Sequence, residues 1–173
     1  MRFKNILKFL ICLSTSVAAF AATDGTVGTT STGTSTVSLT IPKLVKIASM
    51  ADFAFGTYAG TGALDSNDDV NIASNYTGTY RVTLTGSGAA SAFTITNGTQ
   101  TIAYAPSFNK ATGTAGGVLA TSGTAITAQT GIVKPLATAT LNANIRVQMT
   151  QANIQAVDAG TYSGTLTIVV TPE

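Results

Sequence analysis

The hydrophobic pattern of this chain is one of alternation, and it is clearest near the two ends of its second half. Leu141, Ala143, Ile145, Val147 and Met149 share one parity, and Asn142, Asn144, Arg146 and Gln148 share the other. Period two over nine positions predicts a strand with one buried face. The last stretch, 159–171, repeats this: Tyr162, Leu166, Ile168 and Val170 lie on one face and Ser163, Thr165, Thr167 and Thr171 on the other, with Val169 out of phase. Tyr80, Val82 and Leu84 alternate between Gly78 and Gly86, a third strand. Phe93–Thr96 and Thr101–Tyr104 flank Asn97-Gly98, a dipeptide suited to hairpin turns. Weaker signals predict a strand over Val37–Ile41 ended by Pro42, one over Phe53–Tyr58 and a short one over Val70–Ala73, after a polar loop at Gly60–Asp69. Between Pro106 and Pro135 the pattern dissolves into Gly, Thr and Ala, with faint strands near Gly117–Ala120 and Ala125–Ala128. Gln151–Val157 reads as one helical turn.

About seven strands separated by turn signals predict an all-β chain, an immunoglobulin-like antiparallel β-sandwich. Composition agrees. Threonine is about one residue in five, and Leu, Glu and Lys are few, which favours strands over helices. Asp158-Ala-Gly160-Thr-Tyr162 has the form of a tyrosine corner, with Tyr162 bonding back to the turn at Asp158.

The first 21 residues read as a signal peptide. Arg2, Lys4 and Lys8 precede an apolar run, and Ala19-Phe20-Ala21 gives an A-x-A cleavage site, so the exported chain is expected to begin at Ala22. No membrane span is expected, because no apolar run is long enough. The formal charge of +2 includes those three cations, which leaves −1 for 22–173. The remaining basic residues are scattered, so nucleic acid is not an expected partner.

Candidate chemistry is sparse. The chain has no His, and its single Cys is Cys12, inside the signal segment. Catalytic pairs built on His or a thiolate are therefore excluded, as are the usual zinc sites. Asp65, Ser66, Asn67, Asp68 and Asp69 have part of the spacing of a calcium loop, but Val70 stands where Gly is needed and Tyr76 where the bidentate Glu is needed. A solvated turn fits better. Neither an enzyme nor a cofactor is expected. Asn75-Tyr-Thr77 and Asn97-Gly-Thr99 match the short glycosylation pattern.

The chain is expected to divide into a signal peptide (1–21), an extension (22–42) and a sandwich (43–173). Thr23–Ser35 has one apolar residue, Val27, too few to order it. Val37-Ser-Leu39-Thr-Ile41 follows, and two readings stand level on periodicity: a first strand of its own sandwich, or a donor strand that completes a neighbour's sheet. Extended, the tail spans about 50 Å at about 3.3 Å per residue. Burying Val37, Leu39 and Ile41 is worth roughly 5–9 kcal/mol before ordering costs.

The signal segment, the alternating Val37–Ile41, the Phe53-Ala-Phe55-Gly-Thr-Tyr58 stretch and the terminal Ala159-Gly-Thr-Tyr-Ser-Gly-Thr-Leu-Thr167 together resemble pilin subunits of the archaic chaperone–usher class, relatives of the spore coat protein U domain. The likeness covers the ends and hardly touches Pro106–Pro135. Unlike many such subunits, this chain lacks a cysteine pair pinning the first strand. The resemblance implies an incomplete sandwich completed by donor-strand exchange, exported through the periplasm to a surface fimbria serving adhesion or biofilm formation. Its implied partners are identical or related pilins, a periplasmic chaperone and an outer-membrane usher. It further implies that Val37, Leu39 and Ile41 act as donor plugs, while Leu166, Ile168 and Val170 line or neighbour the acceptor groove. The rival expectations are a self-contained secreted binding module or adhesin, and, remotely, a metal-dependent enzyme using Asp65, Asp68 and Asp69.

Overall fold

The computed structural model describes residues 22–173, so the expected signal peptide lies outside the described residues. It falls into two units that meet at Ile41 and Pro42.

In 22–41, Thr23 and Thr34 exchange two main-chain hydrogen bonds of 2.9 Å each, closing a small loop. The strand expected over Val37–Ile41 is not formed: 35–41 has no regular element. Val37, Leu39 and Ile41 are 95%, 83% and 67% exposed. A strand exists only where another strand accepts its main-chain bonds, and this segment has none here.

The second unit, Pro42–Glu173, is built of antiparallel strands, as an Ig-like all-β fold requires. In chain order they are β1 (Val45–Ala48), β2 (Leu64–Ser74), β3 (Tyr80–Gly86), β4 (Thr94–Thr96), β5 (Thr101–Ala103), β6 (Ala105–Asn109), β7 (Val118–Leu119), β8 (Ala125–Gln129), β9 (Ala143–Met149) and β10 (Leu166–Pro172). An α-helix, α1 (Gln151–Gln155), follows β9. Thr150 caps it by accepting from the Asn153 N–H at 3.2 Å.

One sheet runs β1-β2-β9-β6-β7, a second β10-β3-β8, and β4 and β5 form a separate hairpin. The sheets do not close on each other. Alternation decides which residues lie between them. On β9, Ala143, Ile145, Val147 and Met149 are buried, and on β3, Tyr80, Val82 and Leu84 are fully so. Phe108 of β6 reaches across to meet Tyr80 edge to face, ring centroids 6.3 Å apart. Burial pushes the Tyr80 hydroxyl up to about 12, so it stays neutral in the core. A second apolar cluster, Ile102, Tyr104, Val147 and Met149, lies beside the first and receives Ile95, Tyr162 and Leu166.

Several sequence expectations are corrected. Gly60–Asp69 is not wholly a loop, since Leu64–Asp69 is the first half of the eleven-residue β2. The polar run misleads because Asp65, Asn67 and Asp69 occupy the outer face, opposite Gln148, Arg146 and Asn144 of β9. Phe53–Tyr58 is irregular rather than a strand. The terminal strand begins at Leu166, not near Tyr162. Before it, Ser163 pairs with Thr96 through bonds of 2.9 and 3.0 Å, and the chain then crosses to β3 at Gly164. A Cβ on Gly164 would lie 2.9 Å from the Thr94 carbonyl oxygen, so the crossing needs glycine. The hairpin around Asn97-Gly98 forms as its residues require, with Gly98 at φ +93°.

Removing methylenes from this core should be costly, and removing them from the outer face of β10 should not. Leu84→Ala and Ile145→Ala should each lose about 2–5 kcal/mol in urea unfolding of 22–173. Val169→Ala, at a half-exposed position, should stay within about 0.5 kcal/mol.

Candidate functional site

β10 is the terminal strand of its sheet, with β3 on one side and no strand on the other. Leu166, Ile168 and Val170 point inward opposite Gly86, Leu84 and Val82. Leu84 and Val82 are fully buried, whereas the three β10 residues are only half-buried. The two strands present the same face to the same core. What differs is that β3 is hydrogen-bonded to strands on both sides and β10 on one, with the start of β1 close to its C-terminal end.

An apolar groove of ≈ 1010 Å³ begins at Leu166. Its floor is Ile95, Ile102, Tyr104, Val147 and Met149, and its walls are the segments 50–58 and 157–166. Ile168 and Val170 lie beyond it and pack against the first core cluster.

Both walls are irregular, and each is tied down by side chains. Ser49, at φ +62°, ends β1. The Ala51 N–H then donates to Asp68 Oδ2 (2.7 Å), the Gly62 N–H donates to Gln151 Oε1 (2.8 Å), and Gln155 Nε2 donates to the Gly60 carbonyl oxygen (2.9 Å). Between these ties Phe53 and Phe55 pack inward. In the opposite wall, the Tyr162 hydroxyl donates to the Asp158 carbonyl oxygen at 2.8 Å. The same hydroxyl lies 3.0 Å from Gln100 Oε1, which also accepts from the Asp158 N–H at 2.8 Å. Gln100 sits in the β4–β5 turn, so the corner is locked to that hairpin. Asp158 takes part through its backbone, not its carboxylate.

Strand parity sets Asp68 apart from Asp65 and Asp69, which share the outer face four positions apart along β2. Asp68 lies on the inner face of β2 and holds Ala51. Asp69 Oδ1 accepts from the Gly113 N–H (2.8 Å) and from Asn144 Nδ2 (2.7 Å). Asp65 pairs with Arg146, whose Nε donates at 2.9 Å, and with Gln148 Nε2 at 3.2 Å. The Arg146 hydrogen bonds hold the Asp65 carboxyl below its ordinary range. Among the described residues no three metal-ligating side chains converge, and no helix is long and apolar enough to cross a membrane.

Sequence reasoning missed Gln100, Ile95 and Met149 as parts of this site, and missed the structural part played by Asn75. Asn75, read as a glycosylation candidate, has both polar side-chain atoms engaged near the root of the extension, with Leu44 N and Pro42 O at 2.8 Å each. No motif marks such a residue. Only tertiary contact gives it a role.

No protein-family model matches the chain, and no curated protein matches it. Two solved structures are similar to it. One is a chaperone–tip adhesin complex described as vital for synergistic activation of CFA/I fimbriae biogenesis, at 15% identity and a TM-score of 0.49 over 75% of this chain and 42% of that one. The other is the CsuC–CsuE chaperone–tip adhesion subunit pre-assembly complex from archaic chaperone-usher Csu pili of Acinetobacter baumannii, at 18% identity and a TM-score of 0.45, covering 76% of this chain and 40% of that chain. The chain thus spans about two fifths of the length of either solved chain.

Two predictions concern the site's supports. Tyr162→Phe and Gln100→Ala should each cost about 0.5–1.5 kcal/mol, and the double variant less than their sum, because both remove part of one network. For Asp65 the folded pKa is the lower one, so its contribution is full above about pH 4 and is lost as pH falls through that lower value. The stability gap between the native chain and Asp65→Asn should be flat from about pH 7 to 5 and narrow as pH falls below about 4. Because the pair is exposed, the gap should be small and should shrink in salt.

Proposed function

We propose that this chain is a structural subunit of a surface fimbria, polymerised by donor-strand exchange along the chaperone–usher route. The observation that carries this is a pair of unsatisfied parts. β10 has an open edge above an apolar groove, and Val37, Leu39 and Ile41 form an alternating apolar segment, almost wholly exposed, with no strand to join. A strand laid on the β10 edge has its main-chain groups met by β10 and its alternate side chains directed to the half-buried row at Leu166, Ile168 and Val170. The donor is the segment 37–41 of another copy. Such a contact joins two different surfaces and does not close, so it builds a fibre.

The division into a signal peptide (1–21), an extension with its donor strand (22–42) and a pilin sandwich (43–173) belongs to this reading. So do a periplasmic chaperone that covers the groove before assembly, an outer-membrane usher and a final position outside the cell. In such a fibre the subunit serves attachment or biofilm formation and has no enzymatic role. The resemblance in the residues at both ends of the chain supports the reading.

The test is polymerisation of purified 22–173. The native chain should form concentration-dependent polymers that resist SDS, and Leu39→Asp should block them. The Leu39→Asp chain should take up a separate peptide of residues 34–41 and melt at a higher temperature with it. A native chain that remains monomeric at all concentrations and ignores the peptide overturns the proposal in favour of a self-contained binding module.

A further inference from the structure

The pairing of β1 with β2 ends at Val45 and Ser74. Beyond it, Asn75 extends the ladder with its side chain. The Asn75 N–H donates to the Leu44 carbonyl oxygen (3.3 Å), its Oδ1 accepts from the Leu44 N–H (2.8 Å), and its Nδ2 donates to the Pro42 carbonyl oxygen (2.8 Å). Lys43, between them, donates from Nζ to the Glu173 carbonyl oxygen at 2.5 Å and lies 5.2 Å from the Tyr76 ring centroid. All three residues at the root of the extension are therefore fixed, and they prolong the line of β1 past the end of β2.

This bears on which groove the segment 37–41 enters. To reach the β10 edge of its own sandwich, the segment has to reverse against β1. The tightest hairpin reversal takes two residues, and none lies between Ile41 and the fixed Pro42. Proline holds its own φ near −65° and restricts the residue before it to extended backbone, so Ile41 and Pro42 resist forming the turn themselves. If 37–41 provided the reversal, the strand would have to come from 23–36, whose only apolar residue is Val27.

We infer that Asn75 is a positioning residue that bars the chain's own donor segment from its own groove and commits it to a second copy. This rests on the donor-strand reading above. It explains how one chain can carry both a groove and a matching segment without capping itself.

Two variants of 22–173 test it. Asn75→Ala removes the side-chain ties, and insertion of Gly-Gly between Ile41 and Pro42 supplies a turn while leaving Asn75 in place. Each should raise the ratio of folded monomer to polymer at equal concentration, Asn75→Ala by about tenfold or more, the scale of its two lost hydrogen bonds. Those monomers should refuse the 34–41 peptide, because their grooves are already filled. If Asn75→Ala does not fold, the insertion variant decides whether the fixed root bars self-insertion. Monomer fractions equal to the native chain's overturn the inference, as do monomers that still bind the peptide. The Leu39→Asp chain separates the two levels. If it takes up the peptide while the variants polymerise as the native chain does, only the role of Asn75 falls. Failure of Leu39→Asp to take up the peptide removes the donor-strand reading, and this inference with it.

Discussion

The main chain of β10 is bonded to β3 along one side only, and its inward row of Leu166, Ile168 and Val170 is half-buried where the facing row of β3 is closed. Every sheet has edges, and proteins blunt them by shortness, bulges, kinks or charge. Here β7 is two residues long, β1 is four and ends in the strained Ser49, and β8 is joined to β3 through a register shift. β10 has seven residues in unbroken register and carries no charged side chain. Its one interruption is Pro172, at the last position. Among the edges of the two main sheets it is the one left able to accept a strand.

That opening is affordable because the rest of the sandwich is self-sufficient without covalent help. The only cysteine is Cys12, so nothing in 22–173 can be stapled. Cohesion comes from Tyr80 and Phe108 meeting between the sheets and from β9, which lies between β2 and β6 with its apolar row buried. The groove sits at the margin of this core, over the second cluster. A strand bound there adds to stability by mass action, since it binds the folded chain and not the unfolded one. On the proposed reading, stability and assembly are one quantity.

What could be read from the sequence follows from how local the governing physics is. β3 and β9 each bury one face and expose the other, so alternation locates them to within a residue or two. The β4–β5 hairpin is fixed by Asn97-Gly98. β2 was half hidden because Asp65, Asn67 and Asp69 answer to partners on β9, about eighty positions away. β6 was hidden by Pro106, a poor strand residue tolerated with its ring on the core side. Phe53–Tyr58 has strand-like residues but no strand beside it, so propensity alone did not make it one. At the site, the β10 row was legible as apolar alternation, as was the segment Val37, Leu39 and Ile41 that the proposed reading makes its donor. The groove itself was not, because its floor is gathered from β4, β5 and β9. Gln100 and Asn75 were not legible either, because a polar side chain that clamps distant backbone leaves no periodic trace.

The placement of root and groove also bears on what kind of assembly results. Lys43 fixes the root of the extension beside Glu173, just past the C-terminal end of β10, whereas the groove begins at Leu166, its first residue. Seven strand residues separate them, about 20 Å. On the proposed reading the root of the extension and the mouth of the groove lie near opposite ends of β10, whose inward row between them is the acceptor. On that reading the donor segment and the groove are different surfaces of one chain, and a contact that joins two different surfaces favours an open, head-to-tail series.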